Sequence, residues 1–196
     1  LTISELAEEL ERNGSNVVAC YNYTGTPYVN NRLLPEVVYA YGLNEAIQNN
    51  FLKDTDVYGY ENVKNEEFLK SVIEDFWKKY GGREYEGLAP KLAIFGAEIK
   101  EIEEEIRPAV EGILADLGIP LDKILVNVGN EKLTKAEDLR DFNNLDVEGT
   151  LGSKKQFILL VNKGREGWNC RSLFGVALFR SPKSKIFVLQ ATMRCM

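Results

Sequence analysis

The chain has 196 residues, 44% hydrophobic and 28% charged, with a formal net charge of −6, which suits one α/β domain of ordinary size with room for a short appendage. No apolar run approaches the roughly 20 residues that span a bilayer, and no basic-then-apolar leader is expected at the start. There is no histidine, and the three cysteines (Cys20, Cys170, Cys195) form no CxxC pair, which argues against Ser-His-Asp and Cys-His catalysis, zinc hydrolase chemistry and a disulfide framework.

Thr2-Ile3-Ser4-Glu5 has the form of a capping box and predicts a helix through Arg12 that stops at Asn13-Gly14. Residues 17–21 (Val-Val-Ala-Cys-Tyr) then read as a buried strand, with Cys20 as a small core residue. The strand runs into the polar turn Thr24-Gly25-Thr26-Pro27. Residues 28–35 read as a linker or crossover. Residues 36–41 are either a short strand or the lead into a helix over 43–51. Residues 52–63 have no period and read as a surface loop.

Phe68, Val72, Phe76 and Tyr80 recur every fourth position and predict a helix over 65–80, ended by Gly81-Gly82. Such an aromatic stripe is a core face, and no function attaches to it. Lys91-Leu92-Ala93-Ile94-Phe95 is the next strand. A helix over 98–117 follows, with acids in its first turns and Pro108 expected to kink or split it. Residues 124–128 form another strand, and Thr134-Lys135-Ala136-Glu137 is a second capping box opening a helix to about Asn144. Strands follow at 157–161 and 173–179. The tail from Lys183 favours strand by the propensity of Ile186-Phe187-Val188-Leu189, whereas Phe187, Ala191 and Cys195 have helical spacing.

Strands without polar alternation, separated by helices, predict a three-layer parallel α/β sheet with helices on both faces. In such folds ligands gather at the carboxyl ends of the strands. The glycine-containing turn Gly164-Arg165-Glu166-Gly167-Trp168-Asn169-Cys170 follows one buried strand, and Gln190 and Arg194 return on the last segment. That layout suggests a phosphate-handling edge. Charge agrees: residues 150–196 carry nine basic groups (Lys154, Lys155, Lys163, Arg165, Arg171, Arg180, Lys183, Lys185, Arg194) against one acid, Glu166. A basic stretch of this kind either meets a polyanion or folds against the acidic remainder.

The residues Glu166-Gly167-Trp168-Asn169-Cys170, with Gln190 and Arg194 behind them, resemble motifs V and VI of superfamily-two (DEAD/DEAH-type) helicases. Within that group the chain is most similar to the Res subunit of type III restriction enzymes. Tyr23-Thr24-Gly25-Thr26-Pro27 resembles motif III, residues 37–47 resemble the entry to the second domain, and residues 91–95 resemble motif IV. Asn169 stands where the family commonly has an acid, and Met193 where it has a glycine. The family's phosphate loop, Gly-x-x-x-x-Gly-Lys-Ser/Thr, and its acidic box are absent from this sequence.

The resemblance implies a RecA-like fold. Residues 1–27 would be the end of a first RecA-like domain, and 28–196 a second domain ending within motif VI. It implies a cytoplasmic, ATP-dependent DNA helicase or translocase motor of restriction-enzyme type. Arg194 would be the catalytic residue reaching the nucleotide phosphates, with Gly167, Asn169 and Gln190 beside it. Thr24, Gly25 and Thr26 would couple nucleotide state to domain movement, and Asn162, Lys163 and Arg165 would hold DNA. ATP with Mg²⁺ would bind the intact parent, while this chain alone, without the phosphate loop, would bind and turn over neither. The implied partners are DNA, the rest of the parent chain and a modification (methyltransferase) subunit, with no membrane. The alternative reading is a non-enzymatic α/β module that binds nucleic acid or protein.

Overall fold

The computed structural model describes residues 3–19, 21, 23–24, 28–29, 32–34, 37–129, 134–161, 168–179, 188 and 191–195. The chain divides into two compact units, Leu1–Ala40 and Tyr41–Met196.

The first unit holds helix α1 (Ile3–Arg12) and a minimal antiparallel pair, β1 (Tyr28–Val29) and β2 (Arg32–Leu33). Helix α1 ends as its sequence predicts, with Gly14 at a φ of +80°. Residues 28–35 therefore contain an antiparallel strand pair rather than a bare crossover. The buried strand expected at 17–21 is not formed among the described residues. Val18 is 96% exposed and Tyr21 is 75% exposed. An apolar run becomes a strand only where a neighbour completes its ladder, and none of the described residues of this run is paired. Cys20 lies outside the described residues.

The second unit is built on four parallel strands: β3 (Lys91–Phe95), β4 (Ile124–Asn127), β5 (Phe157–Leu160) and β6 (Leu173–Leu178), in the order β4-β5-β3-β6. Leu92 pairs with Phe157 on one side and Gly175 on the other, and Ile124 pairs with Phe157. The strands are continuous apolar runs because both faces are covered. Leu92, Ile94, Phe157 and Leu159 join one core with Phe68, Ile73 and Phe76 of α3 (Glu66–Tyr80) and with Ile102, Ile106 and Val110 of the helix after β3. Ala93, Phe95, Ile158 and Leu160 face the opposite core, with Leu145, Cys170, Leu173 and Ala191. The three-layer α/β architecture expected from the sequence is thus present.

Helix α3 starts at Asn65, whose side chain accepts from the Phe68 N–H at 2.8 Å, and carries Glu66 and Glu67 in its first turn. Residues 52–63 are without helix or strand, and residues 37–42 lead into α2 (Leu43–Gln48) without a strand. Pro108 neither breaks nor splits its helix. Between α4 (Ile99–Glu101) and α5 (Arg107–Asp116) lies a π-helical turn, Ile102–Ile106, and the Arg107 N–H reaches back to the Ile102 carbonyl. That widened turn shifts the hydrogen-bond register just before the proline, so Pro108 falls in the first turn of α5, where its missing N–H is tolerated.

Helix α6 (Ala136–Asn143) is capped by the backbone of Lys135 rather than by the expected Thr134 box. Thr134 is buried, and among the described residues its hydroxyl has no hydrogen-bond partner. A short helix, α7 (Leu151–Lys154), capped by Thr150, precedes β5. In the tail, Val188, Ala191 and Thr192 are helical and Met193–Cys195 is a 3₁₀ turn, so the described part follows the helical spacing. The strand-favouring Ile186, Phe187 and Leu189 lie outside the described residues.

Candidate functional site

The connection leaving β3 runs to β4 at one edge of the sheet, whereas the connection leaving the adjacent β5 runs to β6 at the other. Two neighbouring strands whose exits diverge leave a crevice at their carboxyl ends, the topological switch point of an open α/β sheet. In this sheet the switch point lies between Phe95-Gly96 at the end of β3 and Leu160-Val161 at the end of β5. The Gly96 N–H donates to the Leu160 carbonyl at 3.0 Å, closing the ladder there.

Each side of that point has its own chemistry. After β3, Glu101 folds back so that one carboxylate oxygen accepts from the Ala97 N–H at 2.5 Å and the other meets the Lys64 ammonium at 2.6 Å. A carboxylate of the chain itself thus occupies the amide that an external anion would use. Gly96 is crowded here: a Cβ would stand 2.9 Å from Ile102 Cδ1 and 3.2 Å from Glu101 Oε2. After β5 the chain continues from Val161 into residues 162–167.

The sequence-derived site residues are placed unevenly. Asn162, Lys163, Arg165, Gly167 and Gln190 lie outside the described residues, as do Gly25 and Thr26 and the side chain of Arg194. The backbone of Arg194 belongs to the 3₁₀ turn Met193–Cys195. Thr24 is exposed and belongs to the first unit. Asn169 is exposed.

Trp168 is a packing residue. It stacks on Phe142 of α6, with ring centroids 5.2 Å apart and an interplanar angle of 24°. The next residues are fixed by Asp146, which sequence reasoning did not single out. Its carboxylate accepts from the Arg171 N–H at 2.5 Å, the Ser172 N–H at 3.1 Å and the Ser172 hydroxyl at 2.5 Å, and the Cys170 thiol lies 3.6 Å away. Burial opposes the charge of Asp146, but these donors outweigh it and hold its pKa below the usual carboxylate value. Burial pushes the Cys170 thiol up to about 11, so it is not a thiolate nucleophile at neutral pH.

The basic end of the chain partly folds against the acidic remainder. Arg171 pairs with Glu86 at 3.5 Å and Lys155 with Asp141 at 3.8 Å, while Lys154 is exposed. Among the described residues no group of three or more Cys, Asp or Glu side chains could hold a metal ion, and no helix is long and apolar enough to cross a membrane. No family model, curated protein or solved structure matches this chain.

Proposed function

We propose that the chain is the arginine-bearing part of a superfamily-two DNA helicase or translocase motor of restriction-enzyme type, with residues 28–196 as its second RecA-like domain. The observation that carries this reading is the switch point. The sheet order β4-β5-β3-β6 puts the exit of β5 beside that of β3, and the segment resembling motif V follows β5 in the sequence.

Phosphoryl transfer in such motors rests on positioning and charge stabilisation. In this reading Arg194 meets the nucleotide phosphates across a cleft completed by the first domain, and Gln190 orients beside it. Gly167 lets the backbone approach the nucleotide without a Cβ, and the exposed Asn169 hydrogen-bonds the ribose or a neighbouring arginine. Thr24, Gly25 and Thr26 transmit nucleotide state between domains. Asn162, Lys163 and Arg165 hold DNA phosphates. Mg²⁺ arrives with ATP, and this chain is given no metal-ligating role.

The isolated chain is expected to show no ATP turnover, with or without single-stranded DNA. In the intact parent, Arg194→Ala is expected to lower DNA-stimulated hydrolysis by about 10³-fold or more. Turnover by the chain alone, or an unaffected R194A parent, would sink the reading.

The segregation of nine basic residues into 150–196 favours, second, a non-enzymatic nucleic-acid-binding module. That module would bind DNA with an affinity that ATP and its analogues leave unchanged in the parent, whereas the motor's affinity shifts with nucleotide state.

A further inference from the structure

The stretch 52–64 flanks β6, the edge strand of the sheet, and is fastened to its own unit at four side chains. The Lys53 ammonium donates to the Arg171 and Leu173 carbonyls at 3.2 and 3.0 Å and stands 4.4 Å over the Phe174 ring. Asp56 pairs with Lys79 of α3 at 3.4 Å. Tyr60 meets Phe68 edge-on at 5.0 Å, and Phe68 lies 6.4 Å from Phe179, just past the end of β6. Lys64 meets Glu101 at 2.6 Å. The anchors thus reach from the amino end of β6 to its carboxyl end.

Side chains beside those anchors face water. Phe51, Val57 and Tyr58 are 75%, 89% and 73% exposed. Tyr41 is exposed too; its ring lies 6.3 Å from that of Phe51, and its hydroxyl accepts from the Asn49 amide at 2.7 Å. Scattered exposed apolar side chains are ordinary. Four of them on one short, tethered stretch form a patch of the kind that marks an interface. Because the anchors already hold the backbone that presents them, docking has little left to order.

Charge decides what the patch fits. Exposed aromatics also serve to stack nucleic-acid bases, but that use needs a positive surface for the phosphates. Residues 41–64 contain two basic residues, Lys53 and Lys64, against four acids, Glu45, Asp54, Asp56 and Glu61. Both lysines are turned onto the chain's own acceptors, and Asp56 is engaged by Lys79. Glu45, Asp54 and Glu61 remain exposed, and no lysine or arginine among the described residues pairs with them. A phosphate backbone is repelled by such a surface. Lysine and arginine are drawn to it, and arginine also stacks on tyrosine rings.

We infer that Tyr41, Phe51, Val57 and Tyr58, with Glu45, Asp54 and Glu61 beside them in the chain, form a docking surface for a basic segment of another protein that carries apolar side chains among its lysines or arginines. The aromatics supply the anchors, and the three acids select for positive charge. This surface is independent of the motor reading, which gives none of these residues a contact with nucleotide or DNA.

The test titrates the whole chain against a fluorescein-labelled peptide in which arginine alternates with leucine, read by anisotropy at about 150 mM salt. Companion peptides carry glutamate for each arginine or serine for each leucine. The arginine–leucine peptide is expected to bind saturably, and both companions at least about tenfold more weakly. Phe51→Ser and Tyr58→Ser replace exposed side chains that the fold does not need, and each should weaken binding about tenfold. Glu61→Lys should weaken it as well. Glu137→Lys makes the same charge change on α6, which packs by β4 at the opposite edge of the sheet, and Leu121→Ser alters an exposed leucine just before β4; both should leave the affinity unchanged. Absence of saturable binding, equal binding of the serine peptide, or equal weakening by Glu137→Lys or Leu121→Ser each overturns the inference. So does binding of fluorescein-labelled (dT)₂₀ that Tyr58→Ser weakens, because the surface then takes nucleic acid.

Discussion

Lys91 and Ser153 are joined across the amino-terminal edge of the sheet: the lysine ammonium donates to the serine carbonyl at 3.1 Å and to the Ala89 carbonyl at 2.9 Å. Lys91 is 0% exposed although it opens a strand. Its stem packs like an aliphatic side chain while its head ties β3 to α7. Burial lowers its pKa from 10.5, against the opposing influence of Cys170 and Asp146. Below its folded pKa the lysine is charged in both states and folding bears the full desolvation penalty. The penalty is lifted as pH rises toward the ordinary value of 10.5. Lys91→Ala, which leaves a cavity and two orphaned carbonyls, is expected to cost about 2–5 kcal/mol. Lys91→Met keeps the volume and removes the desolvation penalty but orphans the same two carbonyls, so it should cost less than Lys91→Ala at pH 7. Urea unfolding at pH 7 to 10 checks both, and the native chain should gain on Lys91→Met as pH rises.

Gly152 makes a second prediction at the same edge. A Cβ there would meet the Asp141 carbonyl oxygen and would lie 2.8 Å from the carbonyl carbon and oxygen of Asn144. All of these are backbone atoms of the turn that ends α6, and they cannot rotate away. Gly152→Ala should therefore destabilise by about 1–3 kcal/mol, the range of overpacked cores, even though alanine favours helix intrinsically. A lower urea midpoint with an unchanged slope is the expected result.

Two aspartates in this region respond to acid in opposite directions. Asp146 has a lowered pKa, so its contribution to stability is complete above the ordinary carboxylate range and is lost as pH falls through its lower folded value. Asp138 on α6 has a raised pKa, caused first by burial and opposed by Lys155. It opposes folding at neutral pH, and that opposition is relieved as pH falls through its raised folded value toward the ordinary 3.8. Asp138→Asn is expected to raise the melting temperature at pH 7 and to lose that advantage near pH 4. Asp146→Asn should lower it at pH 7 and converge on the native chain only at more acid pH. Thermal melts from pH 7 to 3 separate the two.

The parts of the fold that were legible are those set by local pattern. The strands at 91–95 and 157–160 are apolar throughout because both faces are buried, and α3 has a clear period and a capping asparagine. Residues 17–21 have the same local pattern but, among the described residues, no paired neighbour, so pattern alone misled. Pro108 was misjudged because a π turn five residues long absorbs the register change, and no residue type announces such a turn. At the site, the stacking of Trp168 on Phe142 was not legible, because nothing in the local pattern of either residue pairs them. Asp146 was invisible because its partners are 24 to 26 positions away and nothing in the stretch Asn144-Leu145-Asp146-Val147 suggests an acid turned inward.

Lys163 and Arg165 provide the prediction that separates phosphate binding from the role of Arg194. A protein that neutralises phosphates on single strands loses affinity with salt at a logarithmic slope of about −0.7 per contact. Of the nearby basic residues described, Arg171 and Lys155 are already paired with Glu86 and Asp141, so they have less to give. Lys163→Ala and Arg165→Ala should each weaken (dT)₂₀ binding and each flatten the slope by about 0.7. Arg194→Ala in the chain alone should leave the slope unchanged, because in the proposed reading it faces nucleotide rather than DNA. Anisotropy titrations from 25 to 200 mM salt, chosen to span about a decade of ionic strength, measure all three. A slope that drops for Arg194→Ala and holds for the other two would move the DNA track from the exit of β5 to the tail.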